Sequence, residues 1–137
     1  MWRVKRGELG WGLLVLLLLP LASDFASWSY RRQQLQFVSD DAATRAVGAL
    51  MRGSSMEAAV RRGLPKRLAL AAPPEIEHPP RDGYYTAHPL AVRVRVSRLY
   101  APFFSSKFVG PFRMTAQGTS AAIPTHRPGE RRIARVE

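Results

Sequence analysis

The chain has no cysteine among its 137 residues. That excludes a disulfide framework, a thiolate metal site and a cysteine nucleophile. Acidic residues are scarce, with 10 Asp+Glu against 21 Lys+Arg, a net charge of +11. Histidine is scarcer still: His78, His88 and His126 stand isolated, at no spacing that would pair two of them on a metal. No glycine-rich phosphate loop appears, and no serine sits in a nucleophile elbow. Glu75 and Glu77 alternate on an extended stretch and so share a face. No second polar cluster defines a pocket with them, and they read as a solvated strand edge. The sequence therefore offers no catalytic residue, no cofactor-binding residue and no metal ligand set. Neither an enzyme nor a small-molecule substrate is expected.

Charge-free stretches are rare too, with one exception. Residues 9–23, LGWGLLVLLLLPLAS, run for fifteen positions without a charge. A membrane span needs about 20 residues. Extending through Asp24 to Phe25, Ala26, Trp28 and Tyr30 supplies that length, and Arg31 and Arg32 stop it. Trp11, Trp28 and Tyr30 fall near the two ends, where amphipathic rings favour the headgroup zone. A transmembrane helix is expected over 9–30, after a basic cytoplasmic N-terminus over 1–8. Arg3, Lys5 and Arg6 favour an N-in orientation, although Arg31 and Arg32 narrow the charge difference. The competing reading is a cleaved signal peptide, with small residues at Leu21-Ala22-Ser23 or Phe25-Ala26-Ser27. Asp24 is costly in a span. It is expected either to reach the headgroups or to pair with a cation on a neighbouring helix.

Beyond the run, helical periodicity persists. Leu35, Val38, Ala42, Ala46 and Ala49 recur at spacings of three and four. Asp41 and Arg45 form an i,i+4 pair of opposite charge. One helix is expected to run from the membrane into the distal domain, bent at Pro20 and ended by Gly53. A second helix should follow, with Ser54 and Glu57 in capping-box positions and Met56, Ala59 and Val60 as its apolar stripe. Gly63 and Pro65 close it. Residues 72–83 form a proline-rich connector, and Tyr84 to Ala87 a candidate short strand. The clearest strand is AVRVRVSRLY, residues 91–100, where valines alternate with arginines so that one face is buried and the other wet. Arg113 to Ala121 is another candidate strand. Between the two, residues 100–112 carry Phe103, Phe104, Phe108 and Phe112, a stretch that either packs on the long helix or dips into the membrane surface. Residues 124–137 read as a flexible basic tail. The fold class is α+β: a long N-terminal transmembrane and amphipathic helix, then a short helix and a small antiparallel sheet over 31–123.

The order of these features resembles the TadE/TadG-like proteins of tight-adherence (Flp) pilus assembly. The residues that carry the likeness are the basic start, the apolar helix with Asp24 near its outer end, and Leu35-Gln36 followed by Asp40 and the Ala42-Ala43 stretch. Downstream they are the valine-alternating strand, Phe103-Phe104 to Gly110, and the small-residue strand from Met114 to Ala122. The resemblance implies a pseudopilin-like protein of the bacterial inner membrane, its C-terminal domain periplasmic, acting in pilus biogenesis or secretion. Its partners would be the membrane and other pilus-assembly subunits. A prepilin-peptidase site is not spelled out, because Glu8 would need a glycine where Arg3 stands. The larger members' Asp-x-Ser-x-Ser adhesion motif does not occur either.

Helix packing would then use the small residues Gly10, Gly12, Ala22 and Ala26 for close approach, together with Asp24, Leu35, Val38 and Ala42. A second reading is a secreted or anchored binding module. From Phe25 onward 18 basic residues face 8 acidic ones, a net of +10. Arg93, Arg95, Arg98 and Arg113 would form a patch for an anionic ligand such as a lipid headgroup or a cell-wall polymer. Nucleic acid is not expected as a partner, because an N-in anchor places this surface away from cytoplasmic DNA.

Overall fold

A computed structural model describes residues 6–124 and 131–136, with the side chains of 6–9 and 124 left aside. Its longest element is the helix α1, Arg6–Met51, 46 residues that continue through Pro20. At 1.5 Å per residue it is about 69 Å long. It ends where Gly53 takes a φ of 65°. The Gly53 amide reaches the Leu50 carbonyl at 3.1 Å and the Ser54 amide reaches that of Ala49 at 2.9 Å. This pair of bonds is the Schellman arrangement, which needs a residue tolerant of left-handed backbone at the turn. The chain then reverses into α2, Met56–Gly63. Its N-cap is Ser55, one residue later than expected, with the Ser55 hydroxyl accepting from the Ala58 amide at 3.2 Å. Glu57 sits one position too early to complete the box and instead accepts from the Ser55 hydroxyl.

Four strands follow: β1 Glu75–Glu77, β2 Ala91–Tyr100, β3 Phe112–Pro124 and β4 Arg131–Val136. They form one antiparallel sheet in sequence order. The single-turn helix α3, Ser106–Val109, lies in the β2–β3 connection. The architecture is α+β, with the C-terminal half of α1 laid across one face of the sheet and α2 packed against α1. β2 occupies the expected residues. Val92, Val94 and Val96 point into the core with Leu35, Val47, Val60 and Met114.

The sheet differs from expectation in three places. Tyr84 to Ala87 is a turn rather than a strand, with Gly83 at a φ of 87° and Ala87 at 55°. The extended segment lies earlier, inside the proline-rich connector, where Glu75 and Glu77 pair in register with Arg95 and Arg93. The chain's end is the third. Of the expected flexible tail, Pro124 ends β3, residues 131–136 form the edge strand β4, and 125–130 and 137 lie outside the described residues. β4 is ordered because Ile133 pairs with Ala122 and packs against the core, while Arg135 donates to the Thr44 hydroxyl on α1 at 3.0 Å. A run dense in arginine can still present one apolar residue inward at the strand period.

Helix and sheet meet at unusually short range. A Cβ added to Gly118 of β3 would lie 2.4 Å from the Ser39 carbonyl oxygen and 2.5 Å from the Asp40 nitrogen. No side chain fits between the two backbones. The helix answers with small groups: Ser39, Ala42, Ala43, Ala46 and Ala49 are all buried. Gln36 closes the contact by donating to the Gln117 carbonyl at 2.8 Å. The expected Asp41–Arg45 pair forms on the outer face at 2.7 Å.

Candidate functional site

The N-terminal half of α1 buries almost nothing. Leu13, Leu16, Leu17, Leu19 and Phe25 are exposed, Leu16 to 73%. An unbroken apolar surface of this size is foreign to a water-facing helix. Among the described residues α1 is the one helix long and apolar enough to cross a membrane, with a mean hydropathy of 1.6 over its best window. Gly10 and Gly12 have nothing within 4 Å, and Ala22 and Ala26 are exposed, so all four remain free to meet a neighbour. Leu35 and Ala42 do not. Both are buried in the chain's own core because α1 must cover the sheet, and so neither can face a partner. Val38 is half-buried and lines a groove of about 530 Å³ with Tyr30, Phe37, Leu68 and Arg98.

Asp24 sits where the apolar half meets the folded domain. It is only 7% exposed, and among the described residues it is satisfied by backbone amides of its own chain rather than by a cation. Its carboxylate accepts from the backbone amides of the β2–β3 connection. Phe103 N–H lies at 2.9 Å from Oδ1, Phe104 N–H at 3.0 Å and Ser105 N–H at 2.7 Å from Oδ2. The Ser105 hydroxyl donates to Oδ2 as well, at 2.8 Å. The Tyr100 hydroxyl donates to the Asp24 main-chain carbonyl at 3.1 Å. One carboxylate thus gathers four donors and pins the aromatic connection to the helix. Charge-assisted bonds of this kind are the stronger ones.

The aromatic connection is held by its backbone, not by its rings. Phe103 and Phe108 are exposed, Phe108 to 90%, and Val109 is exposed beside them. Below them a shallow cleft is lined by Leu21, Phe25, Trp28, Tyr100 and Phe112. Arg31 lies over the Tyr100 ring at 5.8 Å, and Arg32 over Trp28 at 5.4 Å.

The four arginines do not form a patch. Arg93 is 6% exposed, covered by Asp82 and Gly83 of the turn. It binds the Asp82 carboxylate and main-chain carbonyl, Glu77, and the Thr119 hydroxyl at 3.2 Å. The hydrogen bond from Arg93, together with its charge, holds the Asp82 carboxyl below its ordinary value of 3.8. Arg95 is bridged to Glu75 at 3.1 Å. Arg98 has the parity of Val94 and Val96, so it faces the helix side of the sheet and lines the groove there. Arg113 is exposed on the same face as Arg95. The two glutamates of the connector, expected as a solvated edge, hold that edge in place by countering Arg93 and Arg95.

His78 and His88 make local bonds. The His78 Nδ1–H donates to the Ala91 carbonyl at 2.8 Å, and His88 Nδ1 accepts from the Leu90 amide at 3.2 Å. His126 lies outside the described residues, as do residues 1–5 of the expected N-terminus. Among the described residues no group of three potential metal ligands comes together.

No protein-family model, curated protein or solved structure matches the chain. What defines its class is architecture: one exposed apolar N-terminal helix, compatible with a single-pass membrane protein, continuous with a small α+β domain.

Proposed function

We propose that this chain is a membrane-anchored, pseudopilin-like assembly component, non-enzymatic, that works by packing its N-terminal helix against partner helices. The observation that carries the reading is the continuity of α1. One helix of 46 residues exposes large apolar side chains in its first half and is built into the sheet by its second. A rod of this kind transmits the position of the anchor to the domain without a hinge. The likeness of residues 5–123 to TadE/TadG-like proteins gives the reading its particular form. That form is a bacterial inner-membrane subunit of Tad/Flp pilus assembly or a related secretion system, N-terminus cytoplasmic and domain periplasmic.

Retention of the helix is part of the proposal. Cleavage after Ser23 or Ser27 would cut α1 beside or beyond Asp24, and cleavage after Ser27 would remove the carboxylate that holds the aromatic connection. The test uses the full chain in its own membrane, with single cysteines at Gly12 and Ala26 against a background that has none. Disulfide or bifunctional cross-links to other membrane proteins of the same assembly are expected, together with an intact N-terminus by mass spectrometry. A mature N-terminus at Asp24 or Trp28, or a clean monomer after mild detergent extraction, would sink the reading.

A further inference from the structure

The charge-free run is too short for the membrane that it would cross. Residues 9–23 rise about 22 Å as a helix, whereas the hydrocarbon core is about 30 Å thick. Counting about 20 residues from Leu9 places the outer edge of the core at Trp28, roughly 6 Å beyond Asp24. The carboxylate of Asp24 thus lies inside the level of the acyl–headgroup boundary. Whatever is bonded to it lies at that level too.

What is bonded to it is the segment 103–105, with its amides turned to Asp24 and its rings turned outward. Val109 shares a cleft with Leu21 and Phe25 of the helix, and Phe103 and Phe108 are exposed on the same short connection. The cations sit at the flanks: Arg31 and Arg32 follow within two turns of Asp24, and Lys107 sits between the phenylalanines. Long basic side chains next to buried aromatics reach lipid phosphates while their stems stay in the boundary. We infer that residues 101–112 are a second, non-spanning anchor, in which Phe103, Phe108 and Val109 insert into the outer boundary of the same bilayer that holds α1.

The device accounts for both oddities of the region. Asp24 can sit at membrane depth because the connection's amides and the Ser105 hydroxyl satisfy its oxygens. Those amides can sit there because the carboxylate satisfies them in turn. The short apolar run is widened on one side by phenylalanines supplied from far along the chain. Interfacial insertion of this depth adds apolar area without a second span. The same contact fixes the domain's tilt, since two points of attachment define an orientation where one helix leaves rotation free.

The inference rests on α1 being a membrane helix, and its test separates the two. The cysteine-free chain permits an environment-sensitive dye at single positions introduced by Leu16→Cys, Phe108→Cys and Tyr84→Cys. All three side chains are exposed, so labelling leaves the core intact. The full chain is reconstituted in phosphatidylethanolamine–phosphatidylglycerol vesicles. Quenching is read with lipids carrying a doxyl group near the headgroup or deep in the chain, and with aqueous iodide. The expected result is deep quenching at position 16, shallow-lipid quenching with loss of iodide quenching at position 108, and iodide quenching alone at position 84. If position 108 is as open to iodide as position 84 while position 16 is lipid-quenched, the anchor stands and the second anchor is refuted. Protection of position 108 from both quenchers would place protein there, a second copy or a partner, and would equally refute it. If position 16 is not lipid-quenched, the membrane reading itself fails and takes the inference with it.

Discussion

The two halves of α1 invert the usual relation between size and burial. In the first half the leucines are exposed; the second buries Leu35 and Val47 and, beside them, a row of small residues, Ser39, Ala42, Ala43, Ala46 and Ala49. Burial of a leucine side chain is worth about 2 kcal/mol, and an alanine contributes far less. A helix designed for water alone would place its leucines against the sheet. The inversion shows that each half answers a different surrounding. The first half presents large apolar side chains to its surroundings, and the helix there is long and apolar enough to cross a membrane. The second needs thinness, because backbone meets backbone at Gly118. Small residues there are favoured by geometry rather than by hydrophobicity.

Matched substitutions break this comparison in opposite ways. Ala46→Asp puts an unpaired charge into the small-residue contact and should cost about 4 kcal/mol. Loss of the cooperative thermal transition in detergent, with membrane recovery unchanged, is the expected outcome. Gly118→Val drives a side chain into the Ser39–Asp40 backbone and should destabilise by about 3 kcal/mol, read as a lowered unfolding midpoint in denaturant. A wild-type midpoint for this variant would show that the close approach is not what holds the layers together. Leu17→Asp should do the reverse. It costs about 3 kcal/mol of membrane insertion, so alkaline extraction should release the protein while the domain still melts cooperatively.

Finer changes sharpen the comparison at the junction. Asp24→Ala leaves the amides of Phe103, Phe104 and Ser105 without their acceptor, a local cost of about 2 kcal/mol. Amide exchange in residues 101–110 should speed up while β2 and β3 stay protected. Slowed or unchanged exchange there would contradict the role given to the carboxylate. The smallest effect is one of pH. Asp82 has its folded-state pKa lowered below 3.8 by Arg93. Its contribution is therefore present above the ordinary carboxylate range and is lost as pH falls through the lowered value. Exchange in residues 79–88, corrected for intrinsic rates, should be constant between about pH 7 and pH 5 and rise only below about pH 4. A rise near neutrality would contradict the role given to the Asp82–Arg93 pair.

Much of the framework was legible because local patterns carry it. The Val92–Val96 alternation gave β2 its span, and Gly53 marked the end of α1. The i,i+4 spacing of Asp41 and Arg45 foretold their pair. β4 was not legible, because RRIARV offers a single apolar residue per inward period and its partner lies across a connection. β1 was legible only as an extended stretch with Glu75 and Glu77 on one face, since prolines on both sides masked its pairing with β2. Gly118 left a faint trace, a glycine inside a strand pattern, which marks close approach of another backbone. The cluster around Asp24 left only half a trace. An aspartate in an apolar run announces that something satisfies it, but its donors lie some eighty positions away in sequence.

By itself the sequence determined the elements: a helix long and apolar enough in its first half to cross a membrane, and an alternating strand with one face to bury. These follow from periodicity and composition, which act over a few residues. Only the tertiary structure decided which charges would be used and which left over. Arg93, Arg95 and Asp24 all look available in the sequence, and all are taken up by groups that the chain brings from elsewhere. The reason is that burying a charge is tolerable only when specific partners surround it, and partners are assigned by the fold, not by spacing along the chain.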